Sequence, residues 1–359
     1  MMDKNIFIHT AEHLADALKK LDLSSKKTLL VVDEQRTLLG TLSDGDIRRS
    51  ILAGLELHDP IDKSFNPSPT FFHRHEYSLD TAKKTFVKKQ IELIPILDEA
   101  RRVVDYVTWE GVFKESAVPR AKGRIDVPVV IMAGGRGSRL APFTHVLPKP
   151  LIPIGEKTIL EHIIEEFLQF GVTRFYFTVN YRGEMIKAYF DSLEKSYTLD
   201  YLWEKEFCGT AGSLSLLPAD MGDEFIVSNC DIIVKADYAD ILAFHRKNNA
   251  DLTVVSSIQH YVIPYGIVEF KSGGEVTGIK EKPEYSFPIN TGFYVISKKC
   301  LPLIPPGKMF HMTDLIAEII HKQGKVFMYP VNEKEYVDIG QWEEYQKVMD
   351  TFYKNGQRV

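Results

Sequence analysis

The sequence predicts an α/β fold with a mostly parallel, mixed sheet, preceded by a smaller domain of two repeats. From Val127 onward, apolar β-rich runs alternate with helical patterns, which is typical of strands joined through helices. A glycine-bearing turn follows the apolar run 129–132, in the position where α/β sheets bind nucleotides. Before Val127 the sequence repeats itself loosely, which indicates a domain built from paired units.

Bulk composition places the chain among ordinary globular proteins. Its 359 residues are 44% hydrophobic and 26% charged, which suffices for two domains with sizeable cores. A net charge of −5 without a Lys/Arg-rich block argues against nucleic acid or membrane as a partner. No leader-like or membrane-spanning segment is evident, so we expect a cytoplasmic protein. The three cysteines are far apart and argue against a zinc site or disulfide framework.

The repeat lies in residues 1–118, which we predict to be one domain. The run 29–34 reappears as 94–99, so that Asp33 corresponds to Asp98 at an offset of 65 residues. Each copy indicates a helix, two short strands and a second helix. One copy cannot bury its apolar face alone, whereas two packed copies can. Polar residues 119–126 are predicted to be the linker, and 127–359 the second domain.

The turn after the first strand of that second domain predicts a polyphosphate cradle. Glycines there let backbone N–H groups approach phosphate oxygens closely. Arg139 can bring a guanidinium to the β and γ phosphates. Lys149 stands between two prolines and can bring a compact charge to the reacting phosphorus. This combination suits chemistry on a nucleoside triphosphate.

Two commoner phosphate motifs do not fit this turn. A Walker loop needs Gly-Lys-Ser/Thr at its end, and a dinucleotide fingerprint needs a third glycine where Leu140 stands. The pattern Gly-Gly-x-Gly-Ser-Arg-Leu-x-Pro-x-Thr-x-x-x-Pro-Lys-Pro-Leu instead closely resembles the signature of nucleotide-sugar pyrophosphorylases, the sugar-phosphate nucleotidyltransferases. The resemblance implies a Rossmann-like nucleotidyltransferase domain. It also implies nucleotide contacts from the turn, at Ala133, Gly134, Gly135, Gly137 and Ser138.

Two acids at strand ends are candidate magnesium ligands. Asp231 follows the apolar strand 225–229, and Mg²⁺ typically binds through one or two carboxylates plus substrate phosphates. Asp338 follows a short apolar run and resembles the second metal aspartate of the family. The alternatives are a capping or solvent-facing role for Asp231 and an N-cap role for Asp338. Only convergence of the two carboxylates in space distinguishes these interpretations.

Candidate sugar contacts follow from the resemblance. It implies that Gly266 permits close approach of the sugar, Glu281 accepts hydrogen bonds from its hydroxyls, Lys282 holds its phosphate and Asn290 fixes another hydroxyl. Without the resemblance, Glu281 and Lys282 would be interpreted as a solvated surface pair. Asn180 follows the predicted strand 174–179, where either a ligand contact or a turn role is plausible.

A second glycine-bearing turn is placed where the family holds the nucleobase. Glu204 precedes Gly209 and Gly212. An ionised carboxylate only accepts hydrogen bonds, so it suits the adjacent N1–H and N2–H₂ donors of guanine better than uracil or thymine. This favours GTP, and the Gly-Thr-Ala-Gly string also resembles mannose-1-phosphate guanylyltransferases. The alternative is an exposed glutamate without a ligand.

The first domain resembles a pair of cystathionine-β-synthase (CBS) domains of the βαββα type. In that motif a hydroxyl residue meets phosphate and an aspartate meets ribose, which here are Ser43 and Asp46. The second copy keeps Thr108 but has Gly111 in place of the aspartate. The resemblance therefore implies one adenine-nucleotide cleft at most. The alternative is a domain that only dimerises or supports the enzyme.

Together these features predict transfer of a nucleotidyl group from a nucleoside triphosphate to a sugar 1-phosphate with release of pyrophosphate. GTP with a hexosamine or hexose 1-phosphate is favoured, because the arrangement of domains resembles enzymes that make GDP-glucosamine. A UDP- or dTDP-glucose product, or an inactive nucleotide-sensing regulatory subunit, are the alternatives. We expect Mg²⁺ as cofactor and a homo-oligomer, either dimer or tetramer. The product would be a glycan precursor.

Overall fold

The computed structural model describes residues 4–24, 26–89, 91–113 and 123–355, which form two compact units. The first unit consists of Met1–Arg120 and Ile258–Pro288, and the second of Ala121–Ser257 and Ile289–Val359. The division differs from the predicted domains in one segment, because 258–288 belongs with the first unit. Ile258 gives the physical reason, since its side chain is 3% exposed within the core of the first repeat. Residues 119–122 of the predicted linker lie outside the described residues.

The first unit contains the repeat in the order β-α-β-β-α. The first copy comprises β1 (Phe7–Ile8), α1 (Leu14–Ser24), β2 (Thr28–Val32), β3 (Leu38–Ser43) and α2 (Asp44–Leu52). The second copy comprises β4 (Phe72–His73), α3 (Leu79–Lys89), β5 (Leu93–Leu97), β6 (Val103–Thr108) and α4 (Trp109–Phe113). Each element of the second copy starts 65 residues after its counterpart, which matches the predicted offset. Each copy forms a three-stranded sheet, with one parallel and one antiparallel pair.

Hydrophobic periodicity explains why α1 packs on its sheet. Its buried residues lie on one face of the helix, at Leu14, Ala17, Leu18, Leu21 and Ser24. Strand β2 is buried along its whole length, and its residues Leu29 and Val31 share a core cluster with the apolar residues of α1. The cluster also contains Ile258.

Helix α2 begins at a capping box. The Ser43 hydroxyl accepts a hydrogen bond from the Asp46 backbone N–H at 3.2 Å, and the Asp46 carboxylate accepts from the Ser43 N–H at 2.8 Å. The same carboxylate also accepts from the Ser43 hydroxyl and from Arg49. In the second copy the Gly111 N–H donates to the Thr108 hydroxyl at 3.2 Å, and glycine has no side chain to return the bond. Ser43 and Asp46 therefore hold the start of a helix.

The remaining elements are given in chain order. They are β7 (Val129–Met132), β8 (Pro153–Ile154), β9 (Lys157–Thr158), α5 (Ile159–Leu168), β10 (Arg174–Val179), α6 (Gly183–Asp191), β11 (Thr198–Trp203), β12 (Glu224–Asn229), β13 (Ile232–Val234), α7 (Tyr238–Lys247), β14 (Leu252–Val262), β15 (Ile267–Phe270), β16 (Val276–Lys280), β17 (Glu284–Ser297), α8 (Met312–His321), β18 (Val326–Val331), β19 (Tyr336–Asp338) and α9 (Trp342–Asn355).

A seven-stranded sheet has the order β11-β10-β7-β12-β17-β14-β18. The neighbours β11, β10, β7 and β12 are parallel, as are β14 and β18, whereas β12 and β17 are antiparallel. The predicted mostly parallel, mixed sheet is thereby confirmed. Central strand β7 is apolar on both faces, since Val129 and Ile131 join one core cluster and Val130 joins another.

Parallel pairing brings three strand ends to one edge of the sheet. Met132 at the end of β7 pairs with Thr178 of β10 on one side and with Asn229 of β12 on the other. The glycine turn that follows β7 therefore lies beside the segments that follow β10 and β12. In the part of the chain that the structure describes, no helix has the length and apolar character needed to span a membrane.

We predict that Ser43→Ala lowers the free energy of unfolding of the first unit by about 1 kcal/mol, because the substitution removes the cap of α2. Urea titration followed by circular dichroism measures the loss. Thr108→Ala is the matched control. It should cost less, because no carboxylate completes that cap. Equal losses would contradict the role assigned to the capping box.

Candidate active site

A cleft of about 290 Å³ opens at this edge of the sheet, within the second unit. The strand ends, the glycine turn and two downstream segments contribute its walls. The lining residues are Met132, Gly134, Gly135, Gly137, Ser138, Arg139, Lys149, Thr178, Glu204, Phe207, Gly209, Thr210, Asn229, Cys230 and Asp231. The cleft thus gathers most of the predicted nucleotide contacts, together with one of the two predicted metal ligands.

The glycine turn packs tightly against the stem of Lys149. Gly137 has φ +65°, a left-handed conformation that favours glycine. A methyl group at this position would also lie 2.8 Å from Lys149 Cβ. A short 3-10 helix, Ser138–Leu140, follows and sets Ser138 and Arg139 on the wall of the cleft.

Lys149 is the buried cation of the cleft, with 6% of the residue exposed. Its Nζ contacts Asp231 Oδ2, and Arg139 Nη2 lies 3.9 Å from the same oxygen. The Arg139 side chain is 63% exposed, so this second ion pair is screened by solvent. The arrangement presents one fixed ammonium and one movable guanidinium beside a carboxylate.

An antiparallel pair of short strands brings Asp338 to Asp231. Strand β13 follows Asp231 directly and pairs with β19, with Ile232 opposite Asp338. The Ile339 N–H donates to the Asp231 carbonyl at 2.7 Å, and the Gly340 N–H donates to Asp338 Oδ1 at 2.7 Å. A methyl group on Gly340 would lie 2.6 Å from Asp231 Oδ2 and 2.7 Å from Asp338 Oδ1. The two acids therefore converge, as the metal hypothesis requires.

The donor set fits a hard divalent cation that also binds substrate. Carboxylate oxygens are ligands that Mg²⁺ accepts, and Mg²⁺ commonly completes its shell with water and phosphate oxygens. Within residues 4–24, 26–89, 91–113 and 123–355, no group of three or more His, Cys, Asp or Glu side chains is arranged to hold a metal. Among the described residues, the carboxylates of Asp231 and Asp338 therefore form a pair and are not part of a larger group of such side chains.

Glu204 lies on the wall of the cleft and is 7% exposed, not the exposed glutamate of the alternative interpretation. Burial raises the pKa of its carboxyl above the usual value, and a hydrogen bond from the Cys208 N–H opposes that effect. A methyl group on Gly134 would lie 2.9 Å from Glu204 Oε1. The Glu204 carboxyl group therefore lies next to the start of the first glycine turn.

The second glycine turn is held by the segment before α8. The Ala211 and Gly212 N–H groups both donate to the Phe310 carbonyl at 3.0 Å, and the Met312 N–H donates to the Thr210 hydroxyl at 2.9 Å. Gly209 has φ +80° and its missing side chain leaves room for that same carbonyl. This contact fixes Gly209 and Thr210 on the cleft wall.

Six lining residues were not among the candidates from sequence, namely Met132, Thr178, Phe207, Thr210, Asn229 and Cys230. Phe207 is 44% exposed and lines the cleft. The position of Phe207 in the sequence, between Glu204 and Gly209, is the feature that could have identified it. Asn229 and Cys230 come directly before Asp231, and burial raises the pKa of Cys230 to about 12. Burial therefore disfavours the reactive thiolate form of Cys230.

Several predicted residues do not line the cleft. The Ala133 N–H donates to the Thr178 carbonyl, and Asn180 Nδ2 donates to the Glu204 carbonyl, both at 3.0 Å. Gly212 packs against the segment before α8, and Asn290 Nδ2 donates to the Tyr294 hydroxyl at 2.7 Å. Ala133, Asn180 and Gly212 therefore contact segments that form the walls, whereas Asn290 is bonded within its own strand.

The remaining predicted sugar contacts lie in the first compact unit, in the segment 258–288. Gly266 and Glu281 are neighbours there, since a methyl group on Gly266 would lie 3.0 Å from Glu281 Oε2. Both residues and Lys282 are exposed. Lys282 has φ +45°, which is uncommon for a residue with a side chain.

Comparison with protein families identifies the family to which the chain belongs. The model of the nucleotidyl transferase family matches residues 128–355, and the chain belongs to that family. The model of the CBS domain matches residues 1–53, which is the first copy of the repeat. The predicted family and fold class are thereby confirmed.

Individual relatives carry two different nucleotides in their names. A UTP-glucose-1-phosphate uridylyltransferase of Synechocystis is 30% identical over 253 residues, covering 64% of this chain and 65% of the relative. The catalytic subunit beta of a mannose-1-phosphate guanylyltransferase of Dictyostelium discoideum is 33% identical over 184 residues, covering 49% and 51%. The chain therefore matches between half and two thirds of the length of these relatives.

A solved structure shares the fold. HddC from Yersinia pseudotuberculosis, in a crystal structure complexed with GMP-PN, is 25% identical with a TM-score of 0.50. The match covers 63% of this chain and 100% of HddC.

We predict that Gly340→Ala destabilises the second unit by about 1–3 kcal/mol, because the new methyl group would crowd both carboxylates and lie 3.0 Å from Lys149 Nζ. Thermal and urea unfolding measure the loss. Gly45→Ala is the control, since its nearest new contact is 3.4 Å away, and it should cost nothing measurable. Unchanged stability of Gly340→Ala would show that the acids do not converge on this glycine.

Proposed function

We propose that the chain is a sugar-1-phosphate nucleotidyltransferase. A phosphate oxygen of the sugar 1-phosphate attacks the α-phosphorus of a nucleoside triphosphate. The bond between the α-phosphorus and its bridging oxygen to the β-phosphorus breaks, and pyrophosphate leaves with that oxygen. The products are a nucleoside diphosphate sugar and pyrophosphate. The observation that carries this proposal is that Asp338 converges with Lys149 and Asp231, two residues that line a cleft walled by a glycine turn.

The reaction requires stabilisation by positive charge more than it requires proton transfer. The attacking phosphate oxygen is already anionic at neutral pH, so the protein must bring two anions together and stabilise the leaving charge. Lys149 is buried and fixed, which suits a contact to the α-phosphate. Arg139 is exposed and free to turn toward the leaving phosphates. A preorganised cation such as Lys149 lowers the barrier without reorganising during the reaction.

We propose Asp231 and Asp338 as the residues that would hold Mg²⁺. A bound divalent cation would neutralise charge on the phosphates and orient them. The two carboxylates would keep that charge beside Lys149. The nucleotidyl transferase match to residues 128–355 supports this proposal, since both acids lie within it.

We propose GTP as the nucleotide and a hexosamine or hexose 1-phosphate, such as glucosamine 1-phosphate, as the acceptor. Glu204 supports guanine, because its carboxylate can accept from N1–H and N2–H₂ together. Phe207 would stack on the base. The guanylyltransferase name of one relative and the GMP-PN complex of HddC support this choice, and the uridylyltransferase name of the other keeps UTP as the competing substrate.

For the sugar we propose contacts from Gly266, Glu281 and Asn290, with Lys282 on the sugar phosphate. Glu281 and Lys282 are exposed and adjacent in sequence, so an acceptor and a cation are offered together. A neutral ring needs donors and acceptors at fixed positions, and its phosphate needs a cation. Asn180 is proposed to act through Glu204, whose carbonyl it holds.

The deciding experiment is pyrophosphate release across a matrix of triphosphates and sugar 1-phosphates with Mg²⁺. GTP, UTP, dTTP, ATP and CTP would each be paired with glucosamine, mannose and glucose 1-phosphate. Release with one pair names the product. No release with any pair would overturn the proposal and favour an inactive nucleotide-sensing subunit, whose binding to the same triphosphates calorimetry would then show.

We predict that Lys149→Met lowers kcat for pyrophosphate release by roughly 10²–10³-fold, because a preorganised cation at the α-phosphate is lost. Steady-state kinetics with the preferred pair measure the effect, and circular dichroism checks the fold. Lys157→Met is the matched control, since Lys157 pairs with Glu165 outside the cleft lining. Wild-type turnover in a folded Lys149→Met protein would contradict the assigned role.

We predict that Glu204→Gln raises KM for GTP at least ~10-fold relative to UTP. The amide replaces one of the two accepting oxygens with an NH₂ donor, so it can no longer accept from N1–H and N2–H₂ together. The ratio of kcat/KM for the two nucleotides measures the change. Exposed Glu206→Gln is the control. An unchanged ratio of kcat/KM values would show that Glu204 does not take part in base recognition.

The same variant tests the pKa of Glu204. Because the folded-state pKa is raised, the folded protein binds more protons than the unfolded chain between the two pKa values. The free energy of unfolding should therefore fall as pH rises through that interval, and Glu204→Gln should lack this component. Urea titrations at several pH values measure it. Parallel pH curves for the two proteins would contradict the raised pKa.

For the CBS repeats we propose a structural role as the primary one. An adenine nucleotide at Ser43, Asp46 and Thr108 would have to share groups that already cap helices. Calorimetric titration with AMP and ATP tests this directly. Binding that is lost in Asp46→Asn would establish the nucleotide site instead.

A further inference from the structure

Three aromatic rings form a stack in the second unit. The Phe143 ring stacks on Trp342 with centroids 5.3 Å apart, and Trp342 stacks on Tyr345 at 5.7 Å. The interplanar angles of these two pairs are 30° and 29°. Phe143 is 42% exposed and Trp342 38%, whereas Tyr345 is 7% exposed. The stack therefore has one buried ring and two rings that are open to solvent.

The stack joins two segments that carry candidate site residues. Phe143 lies in residues 141–147, the connecting loop, which stands between Arg139 and Lys149. Trp342 is the first residue of α9 and comes four residues after Asp338. The three rings lie outside the lining of the cleft. Their effect on the site is therefore exerted through the position of one segment against the other.

The connecting loop is anchored by the residues that follow β10. The Tyr181 hydroxyl donates to the Thr144 carbonyl at 3.3 Å, and Arg182 Nη2 donates to the His145 carbonyl at 2.9 Å. Arg182 Nε also donates to the Tyr181 hydroxyl at 3.0 Å, so the two side chains support each other. Thr144 is 3% exposed, and a methyl group on Gly137 would lie 3.0 Å from its Cγ2. Phe143 therefore belongs to a loop that is held against the glycine turn.

The first turn of α9 contacts the chain on both sides of Lys149. Phe143, which precedes Lys149, stacks on Trp342. Pro153 comes four residues after Lys149, and its carbonyl accepts a hydrogen bond from the Tyr345 hydroxyl at 2.8 Å. These two contacts attach the start of α9 to the segment that carries the buried ammonium.

The charged groups of these segments have little spare room. A methyl group on Gly340 would lie 2.6 Å from Asp231 Oδ2, 2.7 Å from Asp338 Oδ1 and 3.0 Å from Lys149 Nζ. Gly340 is two residues before Trp342, so a movement at the start of α9 would change these separations directly. A displacement of about 1 Å at an active site can cost on the order of 100-fold in rate.

We propose that Phe143 and Trp342 are positioning residues for the candidate metal ligands. The pairing of β13 with β19 fixes Asp338 relative to Asp231, and the ring contact fixes it relative to Lys149. The inference rests on the proposed function, because it takes the two acids as ligands of a divalent cation. Since Phe143 and Trp342 are both half-open to solvent, replacing either ring should leave the fold intact.

Mn²⁺ binding to the full chain without nucleotide tests this role apart from turnover. Electron paramagnetic resonance of free Mn²⁺ gives the dissociation constant. Trp342→Leu should raise this constant roughly 10-fold, the effect of losing a group that orients a metal ligand. Trp342→Phe keeps a ring in the stack and should restore binding close to that of the wild type. An unchanged dissociation constant in Trp342→Leu would overturn the proposal.

A double variant separates the ring contact from a general loss of stability. Phe143→Leu should weaken Mn²⁺ binding as Trp342→Leu does, and the combined variant should bind no more weakly than either one, because both remove the same contact. Phe327→Leu is the matched control, since Phe327 pairs with Phe244 at 6.0 Å outside the cleft lining. Additive effects of the two site variants, or an equal shift in Phe327→Leu, would overturn the positioning role.

Turnover distinguishes a failure of this inference from a failure of the proposed function. With the preferred substrate pair, Trp342→Leu should raise the Mg²⁺ concentration for half-maximal kcat by a similar factor, whereas KM for the triphosphate at saturating Mg²⁺ should change little. Pyrophosphate release with the same Mg²⁺ requirement in Trp342→Leu and wild type would overturn the positioning role alone. Absence of both Mn²⁺ binding and pyrophosphate release in the wild type would overturn the proposed function as well.

Discussion

The pairing of β13 with β19 is the constraint on which the site depends. Asp231 and Asp338 are far apart in sequence, and like charges repel. Their approach is imposed by backbone hydrogen bonds, in which Ile232 faces Asp338 and the Ile339 N–H reaches the Asp231 carbonyl. Gly340 then leaves the space that the two carboxylates occupy. The proposed phosphate site therefore depends on a separate sheet of two three-residue strands.

Much of the fold and half of the site could be predicted because they follow local rules. Apolar runs identified β7, β10 and β12, and these strands pair in parallel, so the glycine turn and Asp231 follow strand ends at one edge of the sheet. The repeat offset likewise located both copies in the first unit. The approach of Asp338 could only be proposed from family resemblance, because its register with Ile232 is set by tertiary packing.

The sequence could not show which hydrogen-bond partner each backbone or side-chain group has in the fold. Ala133 belongs to the turn pattern, yet its N–H is taken by the Thr178 carbonyl. Ser43 and Asp46 fit a ligand motif and a helix cap equally well, because both need a hydroxyl and a carboxylate three residues apart. The packing of Ile258 among residues of the first repeat has no local signal, since any buried strand residue would look the same.

The contact between Lys149 and Asp231 has a consequence for the protein when no substrate is bound. Two acids held side by side would push the strands that carry them apart. The Lys149 ammonium offsets part of that repulsion, so this part of the cleft can keep its shape in the absence of substrate. An arriving triphosphate would then meet a lysine already in position, and that lysine could exchange a carboxylate partner for a phosphate with little change in local charge balance.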